Sequence, residues 1–562
     1  MSAVENIRDA DEAAGVEPER VKEPSPAAPP PVPAQPPFEP KPFHIAAIYA
    51  SASILLGVTQ GLGVNLVTAN ITGIQGSLGA TQTESNWLIA AYMATNVTGT
   101  MLLYKFRTQF GLRLFGELGL ILFVIVTAAH LFSNDLRSAI AVRAALGVAA
   151  APLSTLAFFY MLEWLPPAKR LTIGICFGML GAQMAAPFAR VISPDLLEIG
   201  QWHGLYFLEM GLALICLAIV FTLPLTHPPR MKMFDKVDLI SFPLIGLGMG
   251  SLAIVLSTGR FYWWLEAPWI GVMAAVGIAA LTILALIELH REHPIIDLRW
   301  LSSIDMLVFA GALTLFRLLL SEQTTGAVGF FNAIGLLNDQ MVTLFWVVTL
   351  ATAAGYAFVS RIISLERMPA IHLVALAMIA TAAFMDARAT NLTRPEQLYV
   401  SQGMIAFAGA MFLPPAMLFG FTQALKRGGP KYILSFLVVF ITTQTIGGLL
   451  GSAVLGSFVT IREKFHSNML SQTMTLTDPL VANRVQQLGS AYGKVITDPA
   501  IRNAEGIALL GQQVTKEATV LAYNDLYLMI AGAAVLGMIA LLVHLAIDFR
   551  RTHKAAPHPQ TA

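Results

Sequence analysis

The sequence predicts an all-α polytopic membrane protein: two six-helix bundles with two further transmembrane helices inserted between them, fourteen spans in all. Three observations carry that expectation. The 562 residues are 56% hydrophobic and 12% charged, with a mean hydropathy of +0.66, whereas a soluble protein spends about a quarter of its residues on charge. Residues 1–42, 461–522 and 548–562 hold 27 of the 69 charges. The remainder is too sparse to cover a water-facing surface. Third, apolar runs of bilayer length recur along the chain. The net charge of +1 argues against nucleic acid as a partner. Cys176 and Cys216 lie in apolar runs and offer neither a disulfide framework nor a zinc site.

Residues 1–42 open the chain without an apolar core. The first 23 are acidic and polar, and 24–42 contain ten prolines. An extended, disordered cytoplasmic tail is expected, not a secretory signal. Apolar runs at 43–64, 85–104, 113–132, 138–163, 171–193 and 203–225 build the N-terminal bundle, 43–230. Runs at 238–258 and 268–289 form the inserted pair within 231–300. The C-terminal bundle, 301–547, takes runs at 304–325, 341–360, 370–387, 397–420, 433–460 and 523–547. Residues 548–562 form a short second tail.

The segment 461–522 lies between the last two spans. Val481, Val485, Leu488, Tyr492 and Val495 recur at spacings of four and three, as do Ile507, Leu510, Val514 and Leu521 with Glu517 interrupting. Two amphipathic helices are predicted, separated by Thr497-Asp498-Pro499. Their apolar stripes must cover each other, the membrane surface or a partner protein.

Loop charge orients the molecule. One set of alternate short loops carries Lys105, Arg107, Arg113, Lys169, Arg170, Arg230, Lys232, Lys236, Arg291, Arg299, Arg361, Arg367, Lys426, Arg427 and Lys431. The other carries only Arg137, Arg260, Arg388 and Arg394. The first set is therefore expected in the cytoplasm together with both termini, which places 461–522 and the aromatic run Phe261-Tyr262-Trp263-Trp264 at the outer side.

The order six, two, six suggests two related halves. The fifth run of the first half contains Gly174, Gly178 and Gly181; the fifth of the second contains Gly447, Gly448, Gly451 and Gly456. Small residues at such spacings let helices approach closely. Internally repeated bundles are a transporter architecture with the substrate site between the halves.

Several motifs, in shared order, resemble the fourteen-span drug:proton antiporters of the EmrB/QacA type in the major facilitator superfamily. They are Trp87-Leu88-Ile89-Ala90-Ala91-Tyr92, Arg143-Ala-Ala-Leu-Gly147, Pro166-Pro167-Ala168-Lys169-Arg170, His293-Pro294-Ile295-Ile296-Asp297-Leu298-Arg299 and Gln444-Thr-Ile-Gly447-Gly448. The resemblance covers about 43–547 and implies the major facilitator fold and proton-driven export. It also implies a Gram-negative inner-membrane location and partnership with a periplasmic adaptor of the membrane-fusion type and an outer-membrane channel. Departures stand beside it. Gly63 occupies the place of the family's first-span Asp. Tyr104-Lys105-Phe106-Arg107-Thr108-Gln109-Phe110-Gly111 keeps only the last glycine of the second-loop motif, and Ala186-Pro187-Phe188-Ala189-Arg190 puts an arginine near the usual glycine pair.

Ionisable residues inside a membrane are costly and tend to mark pathways. At 1.5 Å per residue, Arg143, Arg190 and Glu209 fall at one depth in consecutive spans and are expected to form a compensated cluster. Burial and a neighbouring arginine act on a carboxylate in opposite senses, which suits Glu209 to carry the proton with Arg143 as modulator. The alternative is a fixed ion pair joining spans four to six. Arg317 and Glu322 lie on the ninth run five residues apart, hence on different faces, and Glu322 is a second candidate. Asp305 and Glu288 read as boundary residues. For substrate, Asn65, Asn70, Thr72, Gln183 and Met184 are candidates for an adaptable amphiphile site, with helix packing the more ordinary role for any one of them. The excess of buried arginine points towards anionic or weak-acid substrates.

The chain carries no Gly-x-x-x-x-Gly-Lys-Ser/Thr loop, so ATP-driven transport is not expected, nor is an enzyme activity, a cofactor or a metal. His290 and His293 read as part of a basic turn. The favoured function is export of small amphiphilic compounds, drugs or aromatic and weak acids, by proton-coupled alternating access. An importer, or a non-transporting scaffold or sensor on the same fold, are the alternatives.

Overall fold

Backbone polar groups in hydrocarbon must bond internally, and the apolar runs do so as helices. The computed structural model describes residues 40–226, 232, 234–291, 294, 296–427 and 430–555. The Pro-rich tail to residue 39, Arg230, His293 and the last seven residues lie outside the described set. Among the described residues all regular elements are helical, and thirteen helices are long and apolar enough to cross a membrane. The first six helical segments are Phe43–Ala69, Trp87–Phe110, Leu112–His130, Leu136–Glu163, Pro167–Glu198 and Trp202–Thr222. The inserted pair is Asp238–Tyr262 and Pro268–Leu289. Then come Ile304–Ala333, Asn338–Ile362, Met368–Asp386, Pro395–Lys426, Pro430–Thr473 and Pro499–Ala555.

The second helix, Trp87–Phe110, is not among the thirteen. At 24 residues it has the length of a span, but Thr95, Asn96, Thr98, Thr100, Lys105 and Arg107 dilute its apolar character. Those polar groups are satisfied locally. The threonine hydroxyls donate to carbonyls three or four residues back, and Asn96 Nδ2 donates to Gly147 O at 2.8 Å.

Local chemistry sets the helix ends. A Thr81/Glu84 capping box precedes the second helix, satisfying amides that lack intrahelical partners. Asp135 caps the fourth through the Arg137 and Ser138 amides, and its hydrogen bonds with Ser138 hold its carboxyl below the usual carboxylate range. Gly111 turns the chain straight from the second helix into the third with φ +93°, a conformation glycine adopts without strain. That explains why it alone persists from the family's loop motif.

The first and fifth helices run side by side in the same direction. Gly181 stands against the Ile54 carbonyl, and a Cβ on Gly57 would come within 3.0 Å of Ala182 N. The sixth runs back along the first: Tyr49 Oη donates to Pro224 O at 2.6 Å and Thr59 Oγ1 lies 3.4 Å from Cys216 Sγ. The chain thus reverses within the helical run Ile175–Thr222. The halves meet where the fifth helix packs on the tenth, with the Phe188 and Trp346 rings 6.4 Å apart.

The seventh helix wedges between the second and the thirteenth. Asn86 Nδ2 donates to Ser257 O at 2.8 Å and Trp264 Nε1 to Ser457 Oγ at 2.8 Å. At the end bearing the lysine- and arginine-rich loops, here the basic end, Lys105 bonds Asp238 at 2.7 Å. Arg291 reaches Asp238 at 2.7 Å and Glu288 at 3.2 Å, all four being buried. Glu288, expected at a boundary, is part of this quartet and also accepts from Ser241.

The other end carries a helical projection. The thirteenth helix runs on to Thr473, Pro479–Ser490 forms a separate helix, and the fourteenth begins at Pro499. The segment 461–522 therefore holds only one free-standing helix, because the second amphipathic stretch is continuous with the last span. The first ends at Ser490, short of Val495, where a turn from Tyr492 N to Gly489 O stops it. The two stretches pair: Gly489 meets the Arg502 carbonyl and Gly506 the Val485 carbonyl. Arg462 and His466 both bond Asp525 at 2.6 Å at the base.

Candidate transport site

Arg143 and Glu209 are brought together, and the residue between them is Gly63. Arg143 is fully buried. Its Nη1 donates to Gly63 O, its Nε to Leu88 O at 3.3 Å, and its guanidinium lies 4.5 Å from the Tyr92 ring centroid. A Cβ on Gly63 would stand 3.2 Å from both Glu209 Oε1 and Tyr92 Oη. Glu209 is 1% exposed, and its Oε1, the Tyr92 and Tyr206 hydroxyls, His130 Nε2 and Arg143 Nη2 have no hydrogen-bond partner. His130 stacks on Tyr206 with centroids 4.3 Å apart. One cation, one carboxylate, two phenols and an imidazole thus share one buried cluster. It lies beside the position from which the first-span Asp of the resembled antiporters would project.

Arg190 does not join this pocket. Depth along the sequence groups it with Arg143, but its side chain turns to the tenth helix instead. Nη1 donates to Asn338 Oδ1 at 2.9 Å and the guanidinium lies 5.4 Å from the Phe345 ring. Asn338 Nδ2 in turn donates to Ala69 O at 2.8 Å and Asn70 Oδ1 at 3.3 Å. A polar latch therefore ties the first, fifth and tenth helices at the end bearing the projection. Below it, a cavity of about 60 Å³ between the halves is lined by Asn65, Thr68, Arg190, Gln323, Thr324 and Gln402, with apolar residues including Phe345. That volume is well short of the few hundred Å³ a drug-sized ligand needs.

Of the five substrate candidates, only Asn65 lines this cavity. Asn70 belongs to the latch and also bonds Ser193 Oγ at 2.7 Å. Thr72 is exposed on the short helix Ile71–Leu78. Met184 packs against the second-half core, and Gln183 is half-buried outside the lining. Gln323, Gln402 and Asn338 were not singled out in the sequence. An amide next to Glu322 was a usable signal for Gln323, whereas the other two are placed only by folding.

In the second half, Arg317 and Glu322 take different partners. Arg317 Nε donates to Gln444 O at 3.1 Å, and its side chain lies against Gly447 and Gly448, 3.2 Å from where their Cβ atoms would be. Those glycines make room for an arginine. Gly451, packed on Ser321 and Leu318, sets the helix spacing. In the first half Gly174 and Gly178 accommodate Leu162 and Phe158, and Gly181 meets backbone. Glu322 Oε1 accepts from Gln402 Nε2 at 3.0 Å.

The sequence pattern described as Major Facilitator Superfamily matches residues 53–452. The chain belongs to the major facilitator superfamily. Its sequence relatives include the Multidrug export protein EmrB of Escherichia coli (strain K12), 22% identical over 84% of this chain and 90% of that protein. The Fatty acid resistance protein FarB of Neisseria gonorrhoeae is 22% identical over 89% of this chain and 96% of that one. Within the superfamily the chain is similar, at this low identity, to EmrB-type export proteins. The fold is shared with the POT family transporter PepTSo (TM-score 0.52, 14% identity, 92% of this chain and 100% of that one). It is also shared with the human organic anion transporter MFSD10 (TETRAN) (0.51, 12%, 89% and 100%). This is a polytopic membrane transporter of small molecules, not an enzyme.

Proposed function

We propose that the protein exports small amphiphilic compounds, drugs or aromatic and other weak acids, across the bacterial inner membrane by alternating access driven by protons. Both termini lie in the cytoplasm and the projection faces outward. Glu209 carries the proton and Arg143 modulates it. The observation that carries this reading is the Gly63 gap: the carboxylate absent from span one is supplied from span six, beside Arg143. A proton gained or lost by Glu209 changes its attraction to Arg143, which is held by span-one and span-two carbonyls. Protonation thereby acts on the packing of the first half.

Among residues lining the cleft, Arg190 alone is ionisable. With amides and Phe345 around it, it suits an amphiphile with an anionic head. A substrate carboxylate competes with Asn338 for Arg190, which links occupancy to release of the latch. A relative bearing the name Fatty acid resistance protein makes a medium-chain fatty acid the first probe, with a lipophilic cationic dye as its contrast. In proteoliposomes with an imposed pH gradient, decanoate flux should be accompanied by counter-moving protons. In Glu209→Gln that coupling should vanish while the protein stays monodisperse. Undiminished coupling in the variant overturns the assignment.

The projection 461–522 is the proposed docking surface for a periplasmic adaptor that hands substrate to an outer-membrane channel. Site-specific crosslinking from Leu480 and Val495, both exposed, to a co-expressed adaptor should capture it. Absence of adducts from both positions counts against docking there.

A further inference from the structure

The second half holds a buried acid pair that the Glu209 scheme leaves unused. Glu322 opens a π-helical stretch, Glu322–Ala327, inside the ninth helix, a distortion frequently found at functional sites. Asp386 is the last residue of the eleventh helix, and Gln402 lies in the first turn of Tyr399–Lys426. Their exposures are 0%, 3% and 2%. One amide nitrogen, Gln402 Nε2, donates to Glu322 Oε1 and to Asp386 Oδ2, at 3.0 Å each. The two carboxyl oxygens are thus separated by no more than two hydrogen bonds. Neither carboxyl has an ion-pair partner among the described residues.

The surrounding groups are accounted for. From the fourteenth helix, Tyr527 lies against the same face of Gly326 as Glu322: a Cβ there would be 3.2 Å from Glu322 Oε1 and 3.3 Å from Tyr527 Cε1. Tyr527 Oη is fully buried and, like Glu322 Oε2, has no partner. Tyr523, from the same helix, interacts electrostatically with both Tyr527 and Arg260 of the seventh helix. Arg317 is occupied at Gln444, and Arg388 is exposed beside Phe384. Two negative charges so close in a buried site, with no ion-pairing side chain among the described residues, repel strongly, so the pair favours holding at least one proton. The unpartnered Glu322 Oε2 is a carboxyl oxygen on which a proton can reside.

Gln402 also lines the cleft between the halves, and its backbone carbonyl accepts from Gln323, another lining residue, at 3.1 Å. We propose that Glu322 and Asp386 together hold one exchangeable proton, carried by either carboxyl while Gln402 donates to both, and that Gln402 transmits cleft occupancy to this acid pair. The site is separate from Glu209 and adds a second proton-binding position to the cycle. No bond but O–H changes: a proton enters the pair from one side of the membrane and leaves it to the other. Only its place in transport rests on the proton-coupled reading above.

Infrared difference spectra of the full-length protein in lipid, recorded between mildly acid and mildly alkaline pH, test this without transport. Wild type should show a protonated-carboxyl band. Glu322→Gln and Asp386→Asn should each remove that same band, and the double variant should remove nothing more. Glu209→Gln should leave it in place, so failure of either assignment is distinguishable from failure of the other. Decanoate should perturb the band in wild type and not in Gln402→Leu. Should one acid variant fail to fold, the other and Gln402→Leu decide. Separate bands lost additively, displacement of the band by sodium or potassium, or an unchanged decanoate response in Gln402→Leu would each overturn the proposal.

Discussion

Each half of the transporter buries an arginine and a glutamate, and the two halves use them differently. In the first, Arg143 and Glu209 face one another around Gly63, with their remaining polar atoms unpartnered. In the second, Arg317 is fenced off by Gly447, Gly448 and the Gln444 carbonyl, and Glu322 faces another acid across one amide. What separates them is the side chain that each acid meets, because attraction to a guanidinium and repulsion from a carboxylate are opposite forces in the same dry medium. The first half holds a carboxylate whose charge a cation supports. The second holds a pair that cannot both be charged without one.

The sharpest way to break this comparison is to move the carboxylate. Glu209→Ala should lower pH-gradient-driven flux by at least about 100-fold, the scale of losing an essential proton-transfer group. Gly63→Asp in that background should restore a substantial part of it, because the Cβ at 63 points to where the Glu209 carboxylate and the Tyr92 hydroxyl meet. In the presence of Glu209 the same Asp is crowded, and Gly63→Asp alone should be impaired. A double variant that folds and is as inactive as Glu209→Ala removes position from the explanation.

The basic-end quartet is the control for full compensation. Lys105, Arg291, Asp238 and Glu288 balance one another in a buried site, so their role is structural and their loss should act on stability. Asp238→Asn leaves two cations sharing one carboxylate and should cost about 3–5 kcal/mol, the scale for breaking a buried pair. Thermal unfolding in detergent measures it. Arg113→Ala, which breaks a pair on an exposed arginine, should change stability by less than about 1 kcal/mol. Proton coupling per transported molecule should be unchanged in both.

The glycines sharpen the comparison further. Gly181 and Gly451 occupy corresponding places in the fifth helix of each half, and both are packed tightly on a neighbouring helix. Valine at either should destabilise by about 1–3 kcal/mol, the range for overpacking. Gly447→Ala would meet chiefly the Arg317 side chain, at 3.2 Å, with Thr314 Cα at an ordinary 3.8 Å, and its cost should fall below that of Gly451→Val in the same unfolding assay. Equal costs would mean that Gly447 also sets helix spacing.

Much of the fold was legible because length and apolarity are local properties. The runs along the chain align with the helices, and the polar second helix is recognisable by its length and its order among them. The Arg143–Glu209 pocket was legible from depth, since rise per residue places groups on neighbouring spans at one level. Depth carries no rotation, and that is why Arg190, at the same level, belongs elsewhere. Asp386, at the end of a span, has the sequence signature of an interfacial residue. Its partner Gln402 lies across a turn and its other neighbour, Glu322, on a helix two spans away. Amphipathic periodicity found the projection but not its continuity with the last span, because the apolar stripe and the span abut at Leu521 without a breaker.

A further modest effect concerns the latch, where side-chain amides among the described residues tie the halves together. Asn338→Ala removes the Arg190 bond at 2.9 Å and the bonds to Ala69 O and Asn70. The other groups regain water as that end opens, so the net loss is about 1–1.5 kcal/mol, the worth of one ordinary hydrogen bond. That amounts to a shift of about 5- to 10-fold in the closed-to-open ratio. Spin labels on the exposed positions Thr72 and Leu337, one in each half, should report a larger long-distance population in the variant. Since Glu209 and the Glu322–Asp386 pair are untouched, the protonated-carboxyl bands should stay as in wild type. An unchanged distance distribution would assign closure of that end to the apolar contact of the fifth and tenth helices, with the Phe188–Trp346 edge-on pair as its next test.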